Sequence, residues 1–172
     1  MLITMEKLMW MENYLNEAEA LIMEGRVNEG MTLLDHLLFD EPGYGPLHNV
    51  LGWANMFYVN DIGKAEMYFR YAIKFAPDFA PPYLHLGNLL NRAGRHSEAI
   101  EMFRVGLTKP DAIRIALLEG IALAHEMQGE YRRAMLMYKE AAAASIVDME
   151  VERMLKNAKR CRRKRMASFL FF

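Results

Sequence analysis

The chain has 172 residues, of which 53% are hydrophobic and 25% charged, and this composition excludes a disordered protein. A single cysteine, Cys161, excludes an intrachain disulfide, and the lack of any run of 18 uncharged apolar residues excludes a membrane-spanning helix. The net charge of −1 is unevenly divided, because residues 156–172 hold seven basic and no acidic side chains while residues 1–155 have a net charge of −8.

The first residues carry no targeting signal that we recognise. Residues 1–7 lack the basic segment of a secretory signal peptide, and Glu6 and Glu12 interrupt any apolar segment. Together with the single cysteine, this predicts a cytoplasmic location. Ala, Leu, Met and Glu are abundant while Val, Ile and Thr are sparse, which favours helices over strands.

Four helix pairs are predicted in succession, each with the same arrangement of small and bulky residues. A small residue near the start of each second helix recurs at spacings of 35, 34 and 35, at Gly30, Ala65, Ala99 and Ala134. A bulky side chain follows four positions later, at Leu34, Phe69, Phe103 and Tyr138. The first helices carry their own small residues at Ala18, Gly52, Gly87 and Ala122. Because small residues let helices approach closely, the pattern predicts packed pairs.

The residues between the helices keep the same period. Each turn holds a residue type that accepts the left-handed conformation, at Gly25, Asn60, Gly94 and Gly129. Prolines follow three of the second helices, at Pro42, Pro77 and Pro110. We therefore predict a terminal extension with a first pair over 1–44 and further pairs over 45–79, 80–112 and 113–146. The second pair carries one extra residue, which we assign to its loop.

The pattern changes after Ser145. An amphipathic stripe follows, made of Val147, Val151, Met154, Leu155, Ala158 and Cys161. Acidic residues at its start and basic residues at its end suit the helix dipole. Residues 147–172 are thus predicted to form a capping helix over the last pair, with a basic and aromatic tail.

These motifs resemble a known repeat. The runs Leu86-Gly87-Asn88, 94–100 with Phe103, and 61–69 with Ala72 are similar to those of the tetratricopeptide repeat family, over roughly residues 11–148. The resemblance implies an all-α fold, a right-handed superhelical solenoid of four helix pairs plus a C-terminal capping helix. It also implies that the protein holds another polypeptide.

The resemblance further implies a groove lined by the first helix of each pair. Carried over to this sequence, the peptide-binding positions are Glu12, Glu19, Asn49, Trp53, Met56, Leu84, Asn88, Asn91, Glu119 and Glu126. Carboxylates at both ends and an apolar middle predict a basic and apolar partner segment, and the asparagine amides suit a peptide backbone. The absence of Lys and Arg from these positions disfavours the carboxylate-clamping relatives of heat-shock chaperones. The alternative is that some of these side chains only pack between helices.

No residues form a recognisable catalytic, cofactor or metal constellation, so the protein is predicted not to be an enzyme. The five histidines lack metal-binding spacing, and His48 stands where a dinucleotide-binding loop needs a third glycine. Neighbouring arginines would lower the pKa of Cys161, but we favour a surface cysteine without a role.

The basic tail has four interpretations. Its cations are Lys159, Arg160, Arg162, Arg163, Lys164 and Arg165, and residues 169–172 are Phe, Leu, Phe and Phe. The interpretation we prefer is that the tail docks on the acidic body, either in cis or in a homo-oligomer. The next is that it is a solvated helix end. Contact with an anionic membrane comes third, and contact with nucleic acid comes last. The acidic body opposes the last interpretation.

The predicted function is that of an interaction scaffold or adaptor with a protein or peptide partner and no cofactor. The alternatives are a secretion-type chaperone for an export substrate, or a regulatory subunit of a larger enzyme or transcription complex.

Overall fold

The computed structural model describes residues 4–168, and the described part of the chain is helical without a strand. Its helices are α1 (Met5–Met23), α2 (Val27–Asp40), α3 (Gly45–Ala54), α4 (Ile62–Phe75), α5 (Pro81–Arg92), α6 (His96–Gly106), α7 (Arg114–Met127), α8 (Tyr131–Ala144) and α9 (Asp148–Ser168). A π-helical turn, Asn55–Val59, follows α3. The predicted all-α class and the order of four helix pairs and a closing helix are confirmed. The interpretation that residues 169–172 take part in docking lies outside the described residues.

The chain divides into two compact units, which we call the first unit (Met1–Pro82) and the second unit (Tyr83–Phe172). In the first unit α1 packs on α2 and α3 on α4, and in the second α7 packs on α6 and α8, and α8 on α9. Among residues 4–168, no helix is long and apolar enough to cross a membrane.

Glycines allow the helices of the first unit to pack closely. A Cβ at Gly30 would lie 2.5 Å from Cγ1 of Ile22, and one at Gly52 would lie 2.6 Å from the ring of Phe69. The buried core of this unit consists of Met11, Leu15, Ala18, Ile22, Leu34, Leu37, Leu47, Val50, Leu51 and Ala54. The pairing of small with bulky positions predicted from the repeat is therefore present in this unit.

In the second unit, the ring of Phe103 lies between two glycines. A Cβ at Gly87 of α5 would be 2.4 Å from this ring, and one at Gly120 of α7 would be 2.5 Å from it. Since neither site can accept a methyl group without movement, Phe103 fixes the spacing of α5, α6 and α7. The buried cluster nearer α9 contains Leu118, Ala122, Ala134, Tyr138, Ala141, Ala142, Met154, Ala158 and Cys161.

The turns adopt the predicted left-handed conformation. The φ angles are 87° at Gly25, 61° at Asn60, and 77° at both Gly94 and Gly129. Asn60 is the residue among these that carries a Cβ, and asparagine tolerates this conformation better than most side chains.

The extra residue of the second pair lies in the π-helical turn and not in the loop, which corrects the prediction. The interval from the small residue of the first helix to the turn is eight positions for Gly52 to Asn60 and seven in the other pairs. The wider turn keeps its backbone bonds, because Asp61 N donates to Asn55 O at 2.9 Å. Asn55 is buried and donates from Nδ2 to Leu51 O at 2.8 Å.

The capping helix α9 places Cys161 in the core and not on the surface, contrary to the prediction. Its side chain is fully buried beside α8, together with Met154 and Ala158. Burial, and then the nearby charge of Glu126, raises the pKa of the thiol to about 11 despite the adjacent Arg160. The thiol is therefore protonated at neutral pH, so the neighbouring cations do not activate it.

Candidate functional site

A pocket of about 300 Å³ lies between α1 and the start of α3 in the first unit. It brings together three of the predicted binding residues, Glu12, Glu19 and Asn49. The complete lining is Glu12, Leu15, Asn16, Glu19, Tyr44, Pro46, Asn49, Val50 and Phe79. Apolar side chains thus form part of the wall, and polar oxygens are exposed beside them.

The polar part of this pocket is rich in hydrogen-bond acceptors. Among the described residues, neither Glu12 nor Glu19 has a cationic partner. Partial burial raises the pKa of Glu19, and burial followed by the charge of Glu12 raises the pKa of Tyr44. The Oδ1 atom of Asn49 is buried, and no hydrogen-bond partner reaches it from the part of the chain that the structure describes. Such a wall favours a ligand that supplies donors or positive charge.

The two other predicted positions of the first unit do not line this pocket. Trp53 is partly buried against the core, and its ring centroid lies 5.0 Å from that of Tyr58. Met56 is only 5% exposed, and its counterparts in the first and fourth pairs, Ile22 and Glu126, are also buried, at 0% and 5%. The prediction placed Met56 on the binding surface, whereas the structure places it in the interior.

A second pocket of about 300 Å³ lies among α5, α7 and α9 in the second unit. It brings together the predicted residues Leu84, Asn88 and Glu119. The complete lining is Leu84, Asn88, Ala116, Glu119, Gly120, Leu123, Tyr138, Asn157 and Arg160. Asn88 is exposed, and within residues 4–168 its amide has no hydrogen-bond partner, so the amide is available to a peptide backbone.

Asn91, also predicted to face a partner, makes its contacts inside the second unit. Its Nδ2 donates to Gly120 O at 3.1 Å, and its Oδ1 lies 3.1 Å from Nδ1 of His96. The side chain therefore joins α5 to α7 and to the start of α6, and both ends of its amide are occupied.

Glu126 is likewise enclosed, with a side chain that is 3% exposed. Arg160 contacts it through Nε at 2.8 Å and Nη2 at 2.6 Å, Lys164 donates at 2.8 Å, and Tyr138 donates from its hydroxyl at 3.1 Å. Burial alone would raise the pKa of this carboxyl, but the bonds from Arg160 and Lys164 outweigh burial and hold the pKa at about 2. Glu126 is thus a buried anion that ties α7 to α9.

The basic tail has two sides. Arg160 and Lys164 bond to Glu126, and Arg153, which precedes them on the same side of the helix, bonds to Glu119. The remaining tail cations are exposed, and three of them, Lys159, Arg162 and Arg163, line a different depression together with Lys156 and Met166. Arg165 lines a third depression with Tyr131, Arg132 and Arg133.

Sequence reasoning missed several residues of the two pockets. Tyr44 and Asn16 gave no signal, because a loop tyrosine and a polar helix residue are common on surfaces. The contribution of α9 had a signal in the spacing of Arg153, Arg160 and Lys164, which are seven and four apart and lie on one side of a helix next to its buried stripe. In the part of the chain that the structure describes, no three or more His, Cys, Asp or Glu side chains are grouped to hold a metal ion.

No protein-family model and no curated protein matches the sequence. Solved structures do match it. MamA of AMB-1 is 26% identical, with 74% of this chain and 75% of that chain covered and a TM-score of 0.63. TTC0263, a thermophilic TPR protein in Thermus thermophilus, is 19% identical, with 84% and 79% covered and a TM-score of 0.70.

PilW, a widely conserved type IV pilus biogenesis factor, is 19% identical, with 89% of this chain and 74% of that chain covered and a TM-score of 0.73. The likenesses at 19% identity show a shared fold. They agree with the period of 34 to 35 residues, the small and bulky columns and the left-handed turns of this chain. The chain therefore has the fold of tetratricopeptide repeat proteins.

Proposed function

We propose that this protein is a non-catalytic adaptor or scaffold that binds a basic and apolar segment of another protein. The observation that carries the proposal is the first-unit pocket, where Glu12 and Glu19 lack a cationic partner among the described residues. A tetratricopeptide repeat fold suits this role, because stacked helix pairs present extended surfaces to partners.

The electrostatics of that pocket favour a positive side chain. Partial burial of Glu19 weakens its hydration, as its raised pKa indicates, and an incoming ammonium or guanidinium group would compensate for the lost water. Leu15, Val50 and Phe79 line the same pocket and would contact the aliphatic part of a lysine or arginine. An acidic segment would instead place like charges together.

The second-unit pocket contributes contacts of another kind. Glu119 already bonds to Arg153, and Arg160 bonds to Glu126, so the charges beside this pocket are neutralised within the chain. Asn88 and the apolar Leu84 and Leu123 remain for a peptide. We therefore assign backbone and apolar contacts to this pocket and cation recognition to the first-unit pocket. We place this role in the cytoplasm, since the single cysteine is buried and unpaired.

The test is binding of a fluorescent peptide array to the full chain. We expect peptides that combine Lys or Arg with Leu to bind, and matched peptides with Glu in place of the cations to fail. Glu12→Gln/Glu19→Gln should weaken binding about tenfold, because two favourable charge contacts are lost.

The matched control is Glu6→Gln/Glu17→Gln, which makes the same charge change on exposed positions of α1 outside the pocket. Its affinity should stay within about twofold of the wild type. Equal losses in the two double variants, or tighter binding of the acidic peptides, would contradict the proposal.

A further inference from the structure

The outer side of α9 is a basic face that the described residues, 4–168, leave exposed. Lys156, Lys159, Arg162 and Arg163 are spaced three, three and one apart, so they share one side of the helix. All four are exposed, and within residues 4–168 no carboxylate pairs with them. The cations on the adjoining side, by contrast, are held by Glu119 and Glu126.

Apolar side chains are interleaved with this face. Leu155 is 41% exposed and Met166 is 61% exposed, and both lie at helical spacing from Lys159 and Arg162. Met166 lines the same depression as the four cations. In the sequence, Ser168 is followed directly by Phe, Leu, Phe and Phe. Cations mixed with exposed apolar groups are typical of helices that lie on anionic bilayers.

The net charge of the second unit also favours an anionic partner. This unit holds sixteen Lys and Arg against ten Asp and Glu, which gives a net charge of +6. Among its described residues, the one deeply buried carboxylate, Glu126, is fully neutralised by Arg160 and Lys164. The long-range field of this unit therefore attracts anionic surfaces.

We propose that the outer face of α9, formed by Lys156, Lys159, Arg162, Arg163, Leu155 and Met166, docks the protein on the surface of an anionic lipid bilayer. The four cations contact the lipid headgroups, and the apolar side chains enter the interfacial layer. α9 lies in the plane of the surface and does not cross it. This role is separate from the binding of a protein segment and uses none of the residues assigned to it.

A nucleic acid fits this face less well. Contacts with phosphates would use the cations but would leave Leu155 and Met166 exposed to water, and no aromatic side chain is interleaved with the four cations to stack on bases. The bilayer accounts for both the charged and the apolar side chains, so we commit to it.

The experiment is co-sedimentation of the full chain with vesicles of phosphatidylcholine alone or with about 30% phosphatidylserine. We expect binding to the anionic vesicles, loss of binding as salt is raised, and no binding to neutral vesicles. Each cation at such a surface contributes about fivefold to partitioning. Lys156→Gln/Lys159→Gln/Arg162→Gln/Arg163→Gln should therefore lower the partition constant by a factor on the order of several hundred.

The matched control replaces four other exposed cations of the second unit, Arg92, Arg104, Arg132 and Lys139, with Gln and so makes the same change in net charge. It should retain at least about a tenth of wild-type binding, because these side chains lie outside the face. Circular dichroism on both variants establishes that they are folded.

Three results would overturn the proposal. They are the absence of binding to anionic vesicles, equal losses in the two quadruple variants, and face-dependent binding of duplex DNA by a protein that ignores the vesicles. Because peptide binding depends on Glu12 and Glu19, the peptide assay on the face variant shows separately whether the protein-segment proposal stands.

Discussion

The two compact units share a fold and differ in charge. The first unit holds five Lys and Arg against twelve Asp and Glu, a net charge of −7, and the second has a net charge of +6. In the first-unit pocket Glu12 and Glu19 lack a cation among the described residues, whereas Glu119 and Glu126 of the second unit are bonded to α9. Within residues 4–168, carboxylates on the first helices of the pairs therefore have no cation beside them in the first-unit pocket and are bonded to the last helix in the second unit.

The largest effect on stability should come from the phenylalanine that packs against glycines, and its size should differ between the two units. The ring of Phe103 contacts Gly87 and Gly120, whereas that of Phe69 contacts Gly52. Phe103→Ala should lower the free energy of unfolding by about 3–5 kcal/mol, since it opens a cavity shared by three helices. Phe69→Ala should cost less. Urea denaturation measures both, and a loss below about 1 kcal/mol for Phe103→Ala would contradict the packing described.

The next largest effect is expected when the cations that bond to Glu126 in the second unit are replaced. Arg160→Met/Lys164→Met leaves Glu126 buried without a cation, and we expect the free energy of unfolding to fall by about 2–3 kcal/mol, since both cations are partly exposed and Tyr138 still donates to the carboxylate. Adding Glu126→Gln to this variant should restore most of the loss. If the double variant is as stable as the wild type, Glu126 is not the anchor of α9.

A fall in pH should change the stability contributions of Glu126 and Glu19, one in each unit, in opposite directions. Glu126 has a folded-state pKa of about 2, below its unfolded value of about 4.3, so its stabilisation is complete above that value and is lost as the pH falls toward 2. Glu19 has a raised pKa in the folded state, so its destabilisation is relieved as the pH falls through that pKa. Carboxyl NMR titration of the full chain, with Glu126→Gln and Glu19→Gln for assignment, measures both. Two pKa values displaced in the same direction would remove this contrast.

The smallest effect concerns a feature that the units share. An ion pair stands at the start of the second helix of each pair, as Arg26–Glu29 and Asp61–Lys64 in the first unit and Arg95–Glu98 and Glu130–Arg133 in the second. Glu29→Gln and Glu98→Gln should each leave the free energy of unfolding nearly unchanged, and any small loss should vanish at high salt. A clear difference between these matched variants would show that the net charge of a unit acts even on its surface pairs.

The repeat fold could be predicted from the sequence because its signals are local and periodic. Small residues such as Gly52 and Gly87 mark close helix contacts, and Gly25 and Asn60 mark left-handed turns. Each signal recurs four times, so a chance match at one position could not by itself change the prediction of four helix pairs. The extra residue of the second pair was counted correctly, but its placement in a π-helical turn depends on hydrogen bonding that spacing does not reveal.

The residues of the candidate site were harder to predict, because the exposure of a side chain depends on neighbours that are distant in sequence. Glu12, Glu19 and Asn49 meet in one pocket as expected, and Leu84, Asn88 and Glu119 meet in another. Asn91 and Glu126 occupy matching positions in the first helices of the third and fourth pairs and were predicted to face a partner. Their polar atoms are instead bonded within the chain. A helix position gives the direction of a side chain, but not which group from another helix lies opposite it.

By itself, the sequence determined the all-α class, the helix pairs, their turns and the division of charge, since these follow from residue types at fixed short spacings. Tertiary structure alone decided that Met56 and Cys161 are buried, and that α9 directs Arg160 and Lys164 toward Glu126 while Lys156, Lys159, Arg162 and Arg163 are exposed. The physical reason is that burial and neutralisation depend on contacts between distant segments, and one helix can present chemically different sides to its surroundings.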